Sequence, residues 1–344
     1  MPKQNTCFLS VIIIVYDRTN FIIDALKSLV SQTLNKALFE VILVTNIPLK
    51  IPDFPSLNLR IIESDLKKGT QKYKQGIENS IGQVICFLED DDVFTPKKLE
   101  IVYTIFHNNK DIVFYKNQPL KTTDVARALK DEPIRSLTNQ NVRFYKISDS
   151  TAPVIFWKAR RIKASFNTST MCVRKQYYDN SLTNSLLMSH SFPGDEVIFL
   201  LPFLSKKPVN IAVDRRKLTI YRLHESYSNT NQNFTHNTSL LKKNKTFLTF
   251  MKKSYEDLGD MFDEIPFIKR FCDLEQAAYS LRLLLMSNKK VPYTVLYKSF
   301  LLSFLDRDIL RMIDVFRYFC NYVFPQKLNI KIDNLVMRLI EHAT

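Results

Sequence analysis

The sequence is most informative first in what it lacks. None of its five cysteines (Cys7, Cys86, Cys172, Cys272 and Cys320) forms a CxxC pair or a Cys/His cluster. Neither a disulfide framework nor a zinc site is therefore indicated, and a reducing compartment is the simpler setting. No uninterrupted apolar stretch approaches the roughly 18 residues of a membrane span. The run at residues 8–15 ends at Asp17 and Arg18, without the basic lead and small-residue cleavage site of a secretory leader. The expected location is cytoplasmic, either soluble or peripheral on the cytoplasmic face of a membrane. Sequons at Asn167, Asn233, Asn237 and Asn244 matter only in an exported protein. No repeat of fixed period is present. The net charge of +15 makes a polyanionic partner plausible. It comes with no aromatic RNA-stacking motif and no recognition helix, so nucleic acid is not the expected partner.

What is present is a chain that can bury a real core, with 45% hydrophobic residues over 344 positions. FLSVIIIVY (8–16) is a continuous β-branched run, as expected for a strand covered on both faces, and FIIDALKSLVSQ (21–32) follows at helical spacing behind an Asn20 cap. FEVILVT (39–45), LRIIES (59–64), QVICFL (83–88) and DIVFY (111–115) repeat the strand pattern, with helices at 70–81 and 96–106 between them. The alternation predicts a mostly parallel, doubly wound α/β sheet with helices on both faces. Residues 118–150 read as a polar connection or surface loop. TSTMCVRKQ, SFPGDEVIFLLPFL, PVNIAVD and KLTIYRLH then return to strand and helix. Residues 229–239 form a polar linker, and 240–344 are helical throughout. These basic amphipathic helices suit either an anionic membrane surface or a helical bundle that packs or dimerises.

In a sheet of this kind ligands sit outside the carboxyl ends of the strands. That places Tyr16 and Asp17, Thr45 and Asn46, and the acids Glu89, Asp90, Asp91 and Asp92 around one crevice. Four consecutive carboxylates repel one another unless a cation or donors answer them. A hard divalent ion, Mg2+ or Mn2+, takes one or two carboxylates plus water and phosphate oxygens. Alternate side chains of an extended turn share a face, so Glu89 with Asp91, or Asp90 with Asp92, can point together. The competing structural reading is a solvated cap for the helix after Thr95-Pro96.

At this point the chain resembles a known family. FLEDDDVFTPKKLE is similar to the acidic DxD segment of inverting family 2 glycosyltransferases with the GT-A fold. FLSVIIIVYDRTNFIIDALKSLVSQTL resembles their first strand and helix, NTSTMCVRK the strand before the acceptor helix, and LTIYRLHESYSN the closing YRxHxxS segment. The resemblance implies a catalytic domain over 1–228. It also implies a nucleotide-sugar donor bridged by a metal, and a carbohydrate or lipid-linked acceptor.

Residue by residue, the resemblance implies Asp91 as the main metal carboxylate, Asp90 facing the donor ribose and Glu89 as the first DxD acid, where a Glu is a departure. Asp92 is a further metal candidate or a cap, and His224 can complete the metal or phosphate shell. Inversion needs a carboxylate base for the acceptor hydroxyl. SFPGDEV offers Asp195, favoured by side-chain length, and Glu196, favoured by alignment through Gly194. Asn46 stands where the family commonly has an acid that reads a nucleobase. Asp17 and Tyr16 lie near base or ribose, and Lys67 or Lys68 near the donor phosphates. Two other classes share such a sheet: a nucleotidyltransferase and a non-catalytic nucleotide-sugar-binding protein.

Overall fold

The computed structural model describes residues 7–15, 19–66, 68–131, 141–178, 180–189, 193–223, 238–287 and 290–306, together with 312, 315 and 316. The chain folds as two compact units. One comprises residues 1–159 and 163–224, the other 160–162 and 225–344.

The first unit is an α/β sheet. β1 (Leu9–Val15), β2 (Phe39–Thr45), β3 (Leu59–Glu63) and β4 (Val84–Glu89) alternate with the helices α1 (Ile22–Val30) and α2 (Gly69–Asn79). β5 (Val93–Phe94), α3 (Lys98–Asn108), β6 (Ile112–Thr122), α4 (Val125–Asp131), β7 (Val142–Ile147) and α5 (Ala152–Arg161) follow. Then come a 3-10 turn at Thr168–Thr170, β8 (Met171–Arg174), α6 (Lys175–Tyr178), α7 (Ser181–Met188), α8 (Gly194–Leu200) and β9 (Val209–Arg222). The nine-stranded sheet has the order β3-β2-β1-β4-β8-β6-β9-β5, with β7 also on β9. β1, β2, β3, β4, β6 and β9 run one way, and β5, β7 and β8 run against them. Every residue of β1 and β2 is buried, Ser10, Glu40 and Thr45 included, which explains their nearly continuous apolar pattern.

Register does the positioning. Val15 pairs with Thr45, and Ile14 pairs with Glu89, so β2, β1 and β4 end side by side. The acidic run therefore opens onto the crevice at the carboxyl ends of adjacent parallel strands.

Three local expectations are corrected. Asn20 does not cap α1: Phe21 occupies the cap position and no side chain caps the helix. Arg222 of β9 stacks 4.4 Å from the Phe21 ring and pairs with Asp24 at 2.7 Å, so tertiary contacts set this helix start. Residues 118–150 are not one loop, because β6 extends to Thr122 and β7 pairs antiparallel with β9. β7 exposes half of its residues, and pairing with β9, not apolar periodicity, makes it a strand. Finally, Val209–Arg222 is one strand and not two. The charged DRR at 214–216 reads as a break, but Arg216 pairs with Asp214 at 2.6 Å while Tyr115 donates to Asp214 at 2.8 Å. With its charges neutralised inside, β9 runs on for 14 residues.

The second unit is helical where described: α9 (Thr238–Met261), α10 (Pro266–Met286) and α11 (Tyr293–Asp306). Tyr255, Leu258, Ile268, Phe271 and Leu281 are buried in it. A buried ion pair joins Arg160 and Glu275 at 2.8 Å, with the guanidinium 4.5 Å from the Phe271 ring centroid. The helices expected from residue 307 onward lie outside the described residues, apart from helical positions at 312, 315 and 316.

Candidate active site

The acidic run is the turn between β4 and β5. Its backbone is closed by Asp92 N–H donating to Glu89 O at 3.2 Å. Carboxylate oxygens of Glu89, Asp91 and Asp92 lie within 4.8 Å of one another. Glu89 and Asp91 are partly exposed, whereas Asp92 and Asp90 are buried, and Asp90 is outside this group of three.

Glu89, Asp91 and Asp92 are each held by a partner distant in sequence. Glu89 N–H donates to Ser169 Oγ at 2.9 Å, and Thr168 Oγ1 donates to Glu89 Oε1 at 2.5 Å. Asn167 Nδ2 donates to Asp92 Oδ2 at 2.7 Å, and Arg222 N–H donates to Asp92 Oδ1 at 3.1 Å. Arg222 Nε donates to the Asp91 carbonyl at 2.9 Å, and its other end pairs with Asp24 on α1. One arginine thus ties the turn to two elements. Lys98, fully buried, donates to the Ser169 carbonyl and at 2.8 Å to Thr219 Oγ1, so it supports the 3-10 turn from behind.

The electrostatics follow from this crowding. Burial, then the charges of Asp92 and Asp91, push the Glu89 carboxyl well above its usual range; the Thr168 hydrogen bond opposes this and Asp195 adds to it. Burial and Asp91 raise Asp92 to about 6, against the hydrogen bonds from Asn167, Ser169 and Arg222. Burial brings Lys98 down to about 8. All three donors in the acidic group are hard carboxylate oxygens under mutual repulsion, the set that a divalent cation of the Mg2+ or Mn2+ type takes. The residues present fit such an ion.

The second acidic pair stands at the start of α8. Glu196 is buried and accepts from Ser165 Oγ at 3.1 Å, while Asp195 is partly exposed and accepts from Glu196 N–H at 3.0 Å. Asp195 adds to the rise of the Glu89 carboxyl and opposes the lowering of the buried Lys116 ammonium, and its helix packs against α2. Gly194 permits this approach: a Cβ there would meet the Tyr73 ring at 3.2 Å. The Tyr73 hydroxyl in turn hydrogen-bonds Thr168 Oγ1 at 2.8 Å. A continuous relay of contacts links the two acidic elements.

On the β2 side, Asn46 is exposed and its Oδ1 accepts from Lys72 Nζ at 2.5 Å, while Lys72 also donates to the Val15 carbonyl at 2.5 Å. A lysine can only donate, so the amide orientation is fixed with its NH2 turned outward. Lys68 is exposed at the N-cap of α2. Tyr16, Asp17, Lys67 and His224 lie outside the described residues. Reading the sequence missed Asn167, Ser169, Lys98, Lys116 and Arg222. The polar string NTST before an apolar strand was the only local sign of the supporting turn.

Comparison with known proteins matches residues 10–175 to the model of glycosyl transferase family 2. An uncharacterized glycosyltransferase of Rickettsia conorii, RC0461, is 33% identical over 122 residues, 33% of this chain; the match spans only 20% of that relative's length. Among solved structures, S. aureus TarS residues 1–349 in complex with UDP-GlcNAc is similar at 14% identity and TM-score 0.49, covering 90% of this chain and 91% of that one. The mannosyltransferase PcManGT from Pyrobaculum calidifontis, in complex with GDP-Man and Mn2+, is similar at 9% identity and TM-score 0.47, covering 89% and 85%. The matched residues contain the whole acidic turn and the 167–170 turn that holds it, and over this part of its length the chain is similar to glycosyl transferase family 2.

Proposed function

We propose that this protein is a metal-dependent inverting glycosyltransferase, moving a sugar from a nucleotide-sugar donor to a hydroxyl of a glycan or a lipid-linked sugar. The observation that carries the reading is the meeting of three carboxylates within 4.8 Å at the carboxyl end of β4, beside the ends of the parallel strands β1 and β2. Bound there, Mn2+ or Mg2+ would neutralise charge developing on the leaving nucleoside diphosphate. Asp91, its backbone clamped by Arg222, is the principal ligand, with Glu89 and Asp92 beside it. Asp92 is the more constrained of these two, since both its oxygens accept hydrogen bonds from the protein. Asp90 serves the donor ribose. The outward NH2 of Asn46, with Lys68, Tyr16 and Asp17, serves the rest of the donor, and His224 the phosphate or metal shell.

Asp195 is the base. It takes the proton of the acceptor hydroxyl as that oxygen attacks the anomeric carbon from the face opposite the leaving group. Glu196 is the positioning partner: its carboxylate is engaged inward by Ser165, and its N–H holds Asp195. The test is a screen of purified protein against UDP- and GDP-sugars with Mn2+, followed by isothermal titration, nucleoside diphosphate release and NMR of the product anomer. Donor binding lost on chelation, diphosphate release and an inverted anomer are expected. Absence of donor binding with Mn2+, or wild-type turnover by Asp91→Ala, would sink the metal assignment. Release of pyrophosphate would instead mark nucleotidyl transfer.

A further inference from the structure

α11 has two unlike faces. Ser299, Leu302 and Ser303 are buried at 2%, 0% and 0% exposure, so one side of the helix is docked inside its unit. On the other side Tyr293, Tyr297, Phe300 and Phe304 are 80%, 56%, 50% and 63% exposed. Their steps of four, three and four residues put them on one stripe of a helix with 3.6 residues per turn. Single exposed apolar residues need no explanation, whereas four large aromatics in one line mark a contact surface.

The charge around the stripe says what kind. From Lys290 to Leu305 the sequence contains no Asp or Glu, and Lys290 and Lys298 are both exposed. We infer that this stripe is a seat on an anionic lipid bilayer, with the rings at headgroup depth and the lysines against the lipid charge. Tyr rings, apolar with a polar tip, suit that boundary. Among the described residues no helix is long and apolar enough to cross a membrane, so α11 lies on the surface. A second copy is the less favourable occupant, because a symmetric pairing sets the same lysines against each other. Anionic lipid attracts those lysines, and the +15 chain as a whole is drawn the same way.

The inference is independent of the acidic turn, and its test reads binding without turnover. The full chain is sedimented with vesicles of phosphatidylcholine alone and of phosphatidylcholine with phosphatidylserine, at low and high salt. Binding to the phosphatidylserine vesicles that weakens with salt is expected. The variant Tyr293→Ser/Tyr297→Ser/Phe300→Ser/Phe304→Ser should lose at least about tenfold in partition, at unchanged thermal unfolding. Lys290→Ser/Lys298→Ser should show a several-fold weaker preference for the phosphatidylserine vesicles, the rest of the basic chain keeping part of it. A Phe300→Trp reporter should shift its emission to the blue on vesicle addition, which keeps the idea testable if the quadruple variant misfolds. Wild-type protein that stays in the supernatant overturns the inference. So does a dimer in solution that the aromatic variant converts to monomer.

Discussion

The two sides of the sheet rest on different physics. From β2 through β1 to β4 the interior is mostly apolar, with few buried polar groups in the strands: Ser10 Oγ donates to Glu40 at 2.6 Å, the exposed Arg60 donates to Glu40 at 2.9 Å, and Lys72 donates to the Val15 carbonyl at 2.5 Å. On the β8, β6 and β9 side, Lys98, Lys116, Asn117, Arg174, Asp214, Arg216 and Thr219 are all buried. Buried polar groups are costly unless bonded, and these are: Arg174 alone donates to the carbonyls of Ile112, Phe106 and Asn109. The aliphatic side fixes where the strand ends fall. The polar side fixes how the acids at those ends are turned and charged.

The sharpest way to break this division is at the acids themselves. Asp91→Asn keeps the backbone carbonyl that Arg222 clamps and removes one charge, so donor turnover should fall by about 10³-fold while the fold survives. Turnover within a few-fold of wild type would remove Asp91 from the metal site. Asp195→Asn should cost about 10²-fold or more in transfer, with donor affinity in the presence of Mn2+ nearly unchanged. Glu196→Gln should instead lower both transfer and stability, since it weakens the buried contact with Ser165. If Glu196→Gln alone abolishes transfer at full stability, the roles of the two acids are exchanged.

On the aliphatic side the largest effect expected is on stability. A Cβ at Gly82 would lie 2.6 Å from the Leu9 carbonyl carbon and 2.7 Å from Ser10 N, both backbone atoms that cannot swing aside. Gly82→Ala should therefore cost about 3 kcal/mol in urea unfolding. A loss under about 1 kcal/mol would show that this strand entry gives way more easily than the packing implies.

The polar side has a pH signature. Burial lowers the Lys116 ammonium to about 7 from its usual 10.5. Below pH 7 both folded and unfolded chains hold this proton, and the folded state bears the full cost of a buried charge. Between about 7 and 10.5 the unfolded chain binds more protons, so stability rises with pH by up to about 1.4 kcal/mol per unit. Lys116→Met lacks this slope. Its advantage over wild type should shrink from pH 7 to pH 9, and parallel profiles would mean that Lys116 is solvated in the native protein.

How much of this was legible follows the same division. The β1, β2 and β4 runs, and an acidic run placed at a strand end, could be read directly, because continuous burial writes itself into local hydrophobicity. The support of the acids could not. Asp92 takes its hydrogen bonds from residues 75 and 130 positions away, and Arg222 reaches Asp24 across 198. Arg222 stands in the YRLH segment that carries the family resemblance, yet nothing in a local window shows that it holds Asp91 and Asp92 or reaches Asp24, and the DRR charges of β9 argue locally for a turn. The departure at Glu89 also has its answer here: the longer side chain is met by Thr168, in a turn whose sequence gives no sign of its partner.

The smallest effect separates backbone from side chain in that turn. Asn167 has φ 65°, and its side chain donates to Asp92. Positive φ is tolerated by Asn and Gly and disfavoured for Ala. Asn167→Gly removes only the hydrogen bond and leaves a buried carboxylate short of one donor, whereas Asn167→Ala removes the bond and strains the backbone as well. Ala should therefore be less stable than Gly by about 1 kcal/mol. Because Asp92 is short of the same donor in both, the two variants should show the same loss of Mn2+ affinity by calorimetry. Equal stabilities would mean the turn relaxes without its asparagine. Unequal metal affinities would mean that the backbone of residue 167, and not its amide, sets the direction of Asp92.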